Sequence, residues 1–103
     1  MDDLNYYSLC GRVVRDYVFD SKTRNIIRFS IVRHDYEGKP QFFNFFYYLN
    51  GRKIPSCLKK DTWVCVKGRL DTYEVIGKNG IVYYNLKSTF LADKVARISP
   101  PKR

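Results

Sequence analysis

The chain has 103 residues, 45% of them hydrophobic and 17% aromatic, with 19 Lys and Arg against 10 Asp and Glu for a formal net charge of +9. This length fits one domain and this apolar content supports a core, which excludes global disorder. The basic residues are interleaved with aromatics rather than gathered into a tail, which favours a nucleic-acid partner, and the basic amphipathic helix of a membrane-surface protein is not evident.

In chain order, the acidic and polar opening Met1-Asp2-Asp3-Leu4-Asn5 excludes a signal peptide. No apolar run approaches membrane-spanning length, so a soluble, intracellular protein is expected. Tyr6 to Val14 predicts a first strand, with Gly11 marking a bulge or a close approach. Asp20 to Asn25 is a polar turn. From Asn25 to Arg33 the chain alternates Arg28, Ser30 and Val32 against Phe29 and Ile31, the pattern of a half-buried strand. Tyr36-Glu37-Gly38-Lys39-Pro40 breaks it and leads into a third strand, Gln41 to Leu49.

Six residues of that strand between Phe42 and Tyr48 are aromatic, more than a small core needs. Strand side chains alternate between faces. Phe43, Phe45, Tyr47 and Leu49 therefore form one row and Phe42, Asn44, Phe46 and Tyr48 the other. One row can fill a core. The other must meet solvent, another subunit, or a ligand with flat faces such as nucleobases.

Asn50-Gly51 ends the third strand, and Arg52 to Lys59 is the one plausible helix, kept short by Pro55. Thr62 to Leu70 returns to strand. Asp71 to Ile76 and Ile81 to Leu91, joined by Gly77-Lys78-Asn79-Gly80, read as a hairpin. The domain runs over 1–98, and Ser99 to Arg103 is a basic stub. The expected fold is all-β: a five-stranded OB-fold barrel with one short helix between strands three and four and a long hairpin between strands four and five. Such barrels offer their second and third strands and two loops to oligonucleotides.

Cys10, Cys57 and Cys65 make an odd number without close spacing, so a disulfide framework is not expected and the compartment is taken as reducing. With His34 they lack metal-ligand spacing and read as buried thiols, with no metal and no cofactor.

Several stretches, in order, resemble the bacterial single-stranded-DNA-binding protein family. Leu9-Cys10-Gly11-Arg12-Val13-Val14-Arg15-Asp16 looks like its first-strand Gly-Arg-Leu-x-Arg-Asp signature, and Arg28-Phe29-Ser30-Ile31-Val32 like Arg-Phe-Ser-Leu-Ala. Gln41-Phe42-Phe43-Asn44 resembles the opening of the third strand. Leu58-Lys59-Lys60-Asp61 with Val64 to Leu70, and then Leu91-Ala92-Asp93-Lys94-Val95, resemble the later signatures. The resemblance covers roughly residues 4 to 98. It implies an OB fold, self-association as a dimer or tetramer, sequence-tolerant single-stranded DNA binding in replication, recombination or repair, and a cytoplasmic, nucleoid-associated location. The family's acidic recruiting tail is not matched: either a tail has been removed from this chain, or the protein resembles a tailless relative such as primosomal replication protein N. Contacts with replication or repair proteins stay open, as do RNA binding and a protein-interaction role.

Carried over by resemblance, the stacking residues are Phe42, Tyr48 and Tyr36, while the fourth position falls at Val75 with Tyr73 as nearest substitute. Alternation adds Phe46. Candidate phosphate contacts are Arg12, Arg15, Arg28, Arg33, Lys67 and Arg69, and Asn44 stands where the family places a basic residue. The resemblance also puts Trp63, Cys65 and Val66 where subunits meet. No catalytic residue is expected: the carboxylates Asp16, Asp20, Asp35, Glu37, Asp61, Asp71 and Glu74 are scattered through turns, and one His leaves little acid–base machinery.

Overall fold

Short runs of β-branched and aromatic residues, each broken by Gly, Asn, Asp or Pro, favour strands over helices. The computed structural model, which describes residues 6–101, has eight strands and no helix. They are β1 (Tyr6–Val13), β2 (Val18–Asp20), β3 (Thr23–His34), β4 (Pro40–Tyr48), β5 (Trp63–Arg69), β6 (Thr72–Ile76), β7 (Val82–Leu86) and β8 (Thr89–Arg97). The readings of Met1 to Asn5 and of Lys102 and Arg103 lie outside the described residues.

β5 pairs antiparallel with β1 and β8, β3 pairs antiparallel with β4 and with the end of β1, and β4 runs parallel to β8. These pairings close a five-stranded ring, β1-β5-β8-β4-β3, with the short β2 added along β3. This is the OB barrel expected from the element order. β6 and β7 form a separate two-stranded sheet between β5 and β8. Its second arm ends at Leu86 rather than at Leu91, because Thr89 to Leu91 are already paired with Asn44 to Phe46 of β4.

Alternation decides what fills the barrel. Val13, Ile27, Phe29, Ile31, Phe45, Tyr47, Val64, Val66 and Ala92 are buried together from five strands. Phe45 stacks at 5.2 Å from Phe29 and 5.9 Å from Tyr7. Val32 departs from the pattern: its parity faces outward, yet it is buried, since its cross-strand partners Arg12 and Phe42 flank it on both sides. Two glycines are required by close approach. A Cβ on Gly11 would lie 2.7 Å from the Val32 carbonyl oxygen. One on Gly68 would overlap the Leu91 carbonyl at a register shift between β5 and β8, where the Tyr7 hydroxyl also donates to Leu91 O at 2.7 Å.

The expected helix over Arg52 to Lys59 is absent. The segment is a chain of turns, with N–H groups of Arg52, Leu58 and Thr62 donating to the carbonyls of Leu49, Pro55 and Lys59. Pro55 removes a donor in mid-segment, and Ser56 and Cys57 are weak helix formers, so no run long enough to nucleate remains. The buried Leu58 side chain plugs this end of the core, with Ile54 and Cys57 packed partly buried beside it.

Candidate functional site

The outer row of β4 meets the hairpin across an open groove. Phe46 and Tyr48 come from β4, Ile26 and Arg28 from β3, Tyr73 from β6, and Lys87 from the bend after β7, enclosing about 600 Å³. Parity puts the β4 residues there, as Phe43, Phe45 and Tyr47 turn inward. Phe46 and Tyr48 meet edge to face, with centroids 5.8 Å apart at 80°. Tyr48 and Tyr73 are 40% and 49% exposed, so both rings keep a free surface toward the groove. Tyr73 arrives because β6 begins shortly after β5 ends, which sets it at the root of the two-stranded sheet.

A second, smaller groove of about 290 Å³ adjoins the first and shares Arg28 and Thr89 with it. It adds Arg15, Val18, Ser30 and Asn44. Asn44 is no cation, and its Oδ1 accepts the Ser30 hydroxyl proton at 2.6 Å. The middle of the face is therefore a neutral polar step between cations.

Two of those cations are held by carboxylates. Arg28 Nε donates to Asp20 Oδ1 at 2.8 Å, and Lys87 Nζ lies 2.7 Å from Asp71 Oδ2. The Arg28 hydrogen bond, seconded by the Lys22 N–H, holds the Asp20 carboxyl below the usual range. Lys87 and the Thr72 N–H do the same for Asp71. The Lys87–Asp71 pair is solvent-facing, whereas in the other pair Arg28 is half exposed and the Asp20 side chain is only 13% exposed.

The structure thus gathers Arg28, Phe46, Tyr48 and Tyr73, with Arg15 in the adjoining groove. Phe42 lies on the same outer row but about 14 Å up the strand from Phe46, 62% exposed. Tyr36 sits beyond it in the β3–β4 turn, 96% exposed. That turn is shaped by Asp35 Oδ1, which accepts the N–H groups of Glu37 and Lys39 at 2.9 Å each. The other cations lie elsewhere. Arg12 is paired with Asp61 at 2.8 Å and Arg69 with Asp93 at 3.4 Å. Arg33 lines a depression with Cys10, His34 and Trp63, and Lys67 one with Tyr6 and Lys94. Sequence reasoning missed Lys87 and Thr89, which reach the groove through the parallel β4–β8 pairing, a contact with no local signature.

The reading of the cysteines as buried thiols is corrected. Cys10 is exposed, and Cys57 and Cys65 are partly exposed. On β1 the core takes Leu9 and Val13, and on β5 it takes Val64 and Val66, so the intervening Cys10 and Cys65 point outward. Among the described residues, no three His, Cys, Asp or Glu side chains group in a way that could hold a metal ion, and no helix is long and apolar enough to cross a membrane.

No family model and no curated protein matches the sequence. Solved structures do match the fold. Two structures of the mitochondrial single-stranded DNA binding protein Rim1 from S. cerevisiae superpose with TM-scores of 0.64 and 0.68 at 13% and 14% identity, covering 97% of this chain and 100% of theirs. The N-terminal domain of the PriB protein from Thermoanaerobacter tencongensis, a dimeric structure, gives 0.62 at 16% identity over 93% of this chain and 98% of that one. The shared feature is the barrel. At such identities the likeness establishes the OB fold, and the side chains of the groove must carry any statement about ligand.

Proposed function

We propose that this protein binds single-stranded DNA in the β3–β4 groove, by stacking bases on aromatic rings and drawing phosphates to the flanking cations. The observation that carries this reading is the convergence of Phe46, Tyr48 and Tyr73 with Arg28 and Lys87 in one open groove of an OB barrel. Flat rings with exposed faces suit unpaired bases. A duplex hides those faces within its stack. The likeness to Rim1 and PriB supports the reading, because the barrel is one on which those proteins are built.

The magnitudes suit weak binding by one copy and tighter binding by several. Stacking contributes about 1–3 kcal/mol per base, so three rings supply about 3–9 kcal/mol, and micromolar affinity requires about 8 kcal/mol. Phe42 and Tyr36 extend the path toward the β3–β4 turn, and the basic residues outside the groove strengthen the general attraction for a polyanion. Arg15, Arg28 and Lys87 engaged together give a slope of log affinity against log salt of about −2.

Self-association belongs to the same proposal. Among the described residues, β3 pairs only with Arg12 and Val13 of β1, which leaves Tyr6 to Gly11 as an open edge beside β5. An open edge of this length is suited to pairing with a second copy. In this reading the oligomer coats or presents single strands in DNA replication, recombination or repair. Its part is binding, with no chemical step.

Anisotropy titration with single-stranded and duplex oligonucleotides of equal length, at two salt concentrations, tests the proposal. Preference for the single strand with a salt slope near −2 is expected. Equal affinity for the duplex, or no binding at low salt, would overturn it. Stacking is indifferent to the 2′-hydroxyl, so a matched RNA in the same titration decides which sugar the groove prefers.

A further inference from the structure

β1 and β5 bring two of the three cysteines face to face. Cys10 and Cys65 are direct cross-strand partners. The Ile98 N–H donates to the Trp63 carbonyl at 2.9 Å, so Trp63 and, two residues on, Cys65 turn their main-chain groups toward β8 rather than β1. Cys10 and Cys65 therefore occupy a non-hydrogen-bonded site of the β1–β5 ladder. At such sites Cα atoms approach to about 4.5 Å and side chains are closest, within the roughly 4.4–6.8 Å that a disulfide spans. Both sulfurs are on the outer face, at directly opposed positions of the two strands. Ser8 Oγ lies 3.3 Å from Cys65 Sγ. Arg33 and Lys67 add positive charge nearby.

We propose that Cys10 and Cys65 form a peroxide-reactive dithiol that closes to a cross-strand disulfide. The two sulfurs differ. The Ser8 hydrogen bond, with the neighbouring Cys10 thiol and the charge of Lys67, holds the Cys65 thiol below its ordinary value, whereas partial desolvation and the interaction with Cys65 push that of Cys10 up. Cys65 is thus the attacking sulfur. Its thiolate attacks one oxygen of hydrogen peroxide, the O–O bond breaks, and the departing hydroxide takes up the proton Cys65 had released, forming water. Cys65 is then a sulfenic acid. The Cys10 sulfur attacks it, the S–S bond forms as the S–O bond breaks, and the hydroxide leaves with the Cys10 proton as a second water. One peroxide is reduced to two waters while two thiols are oxidised to one disulfide. The bond staples β1 to β5 on a face that shares neither cysteine with the binding groove.

The test treats the reduced full-length chain with stoichiometric hydrogen peroxide, followed by intact mass, peptide mapping and maleimide labelling. The expected product has lost two hydrogens, carries a Cys10–Cys65 linked peptide and keeps Cys57 as its reactive thiol. Its melting temperature rises by on the order of 10 °C and returns on reduction. Cys57→Ser should behave like the parent. In Cys10→Ser, dimedone should trap a sulfenic acid on Cys65, while Cys65→Ser should consume peroxide about tenfold more slowly. Retention of all three thiols, a disulfide through Cys57 or between chains, or arrest at sulfinic acid would each overturn the proposal.

Discussion

Tyr47 and Tyr48 are neighbours in sequence with the same side chain, and β4 sends them to opposite sides of the barrel wall. Tyr47 is 6% exposed within the core, with the Arg52 guanidinium carbon 4.6 Å from its ring centroid. Tyr48 is 40% exposed in the groove, and its ring contact is the edge of Phe46. Truncating each to alanine therefore separates packing from binding. Tyr47→Ala leaves a cavity the size of a ring and should cost about 3–5 kcal/mol of stability. Tyr48→Ala loses an edge contact worth about 0.5–1.5 kcal/mol and little else that holds the fold. Its cost in binding is one stacked base, about 1–3 kcal/mol, which weakens the dissociation constant about 5- to 150-fold. Urea denaturation gives the first quantity and anisotropy with a single-stranded oligonucleotide the second, with Tyr47→Ala measured where it remains folded. If Tyr48→Ala bound as tightly as the parent, or if the folded Tyr47→Ala lost more affinity than Tyr48→Ala, the assignment of this face would fail.

Asp20→Asn removes the carboxylate that competes for Arg28; single-strand affinity should rise in a salt-series titration while the slope stays near −2, since Arg28 is already one of the three contacts counted. Gly68→Ala drives a methyl into the Leu91 carbonyl and the Tyr7 ring at the β5–β8 bulge, and should lower the thermal midpoint by more than the corresponding change at Gly80, where nothing lies within 4 Å of the added carbon. Burial, and then the charge of Asp93, push the Tyr7 phenol well above its ordinary value. A raised folded value means that its contribution is complete below the ordinary value near 10 and is lost as pH rises beyond it, so urea stability should decline above about pH 10 in the parent and less in Tyr7→Phe. Ser8→Pro removes an N–H that the β1–β5 ladder does not use and blocks the open edge; light scattering should report a smaller particle while circular dichroism keeps the strand signal.

The sequence made the barrel legible because its evidence is local. Period-two alternation separates Phe45 from Phe46 and Val64 from Cys65, and each turn is marked by Gly, Asn or Pro. The helix expectation fails for the converse reason: between Arg52 and Lys59 no periodic packing pattern argues for it, and Pro55 interrupts it. Parity alone also says which face a residue occupies but not where along that face. Phe42 and Tyr48 share a row, yet of the two only Tyr48 lines the groove with Tyr73 of β6. Arg12, Arg33, Lys67 and Arg69 are as eligible as Arg28 in the sequence, and what sets them apart is position: none of them lines the groove that Arg28 enters.

The same limit hid both Lys87 and the cysteine pair. Lys87 enters the groove through a parallel pairing between strands far apart in sequence, and Cys10 meets Cys65 through the register of another such pairing. Each was visible only as a type of residue until the ladder set its neighbour. In the groove this has a chemical consequence: Arg28 and Lys87 arrive already neutralised by Asp20 and Asp71. In the proposed reading a phosphate shares Arg28 and Lys87 with these carboxylates or exchanges with them. The proposed binding then rests chiefly on the rings, and the pairing of the cations lowers what each phosphate contact adds.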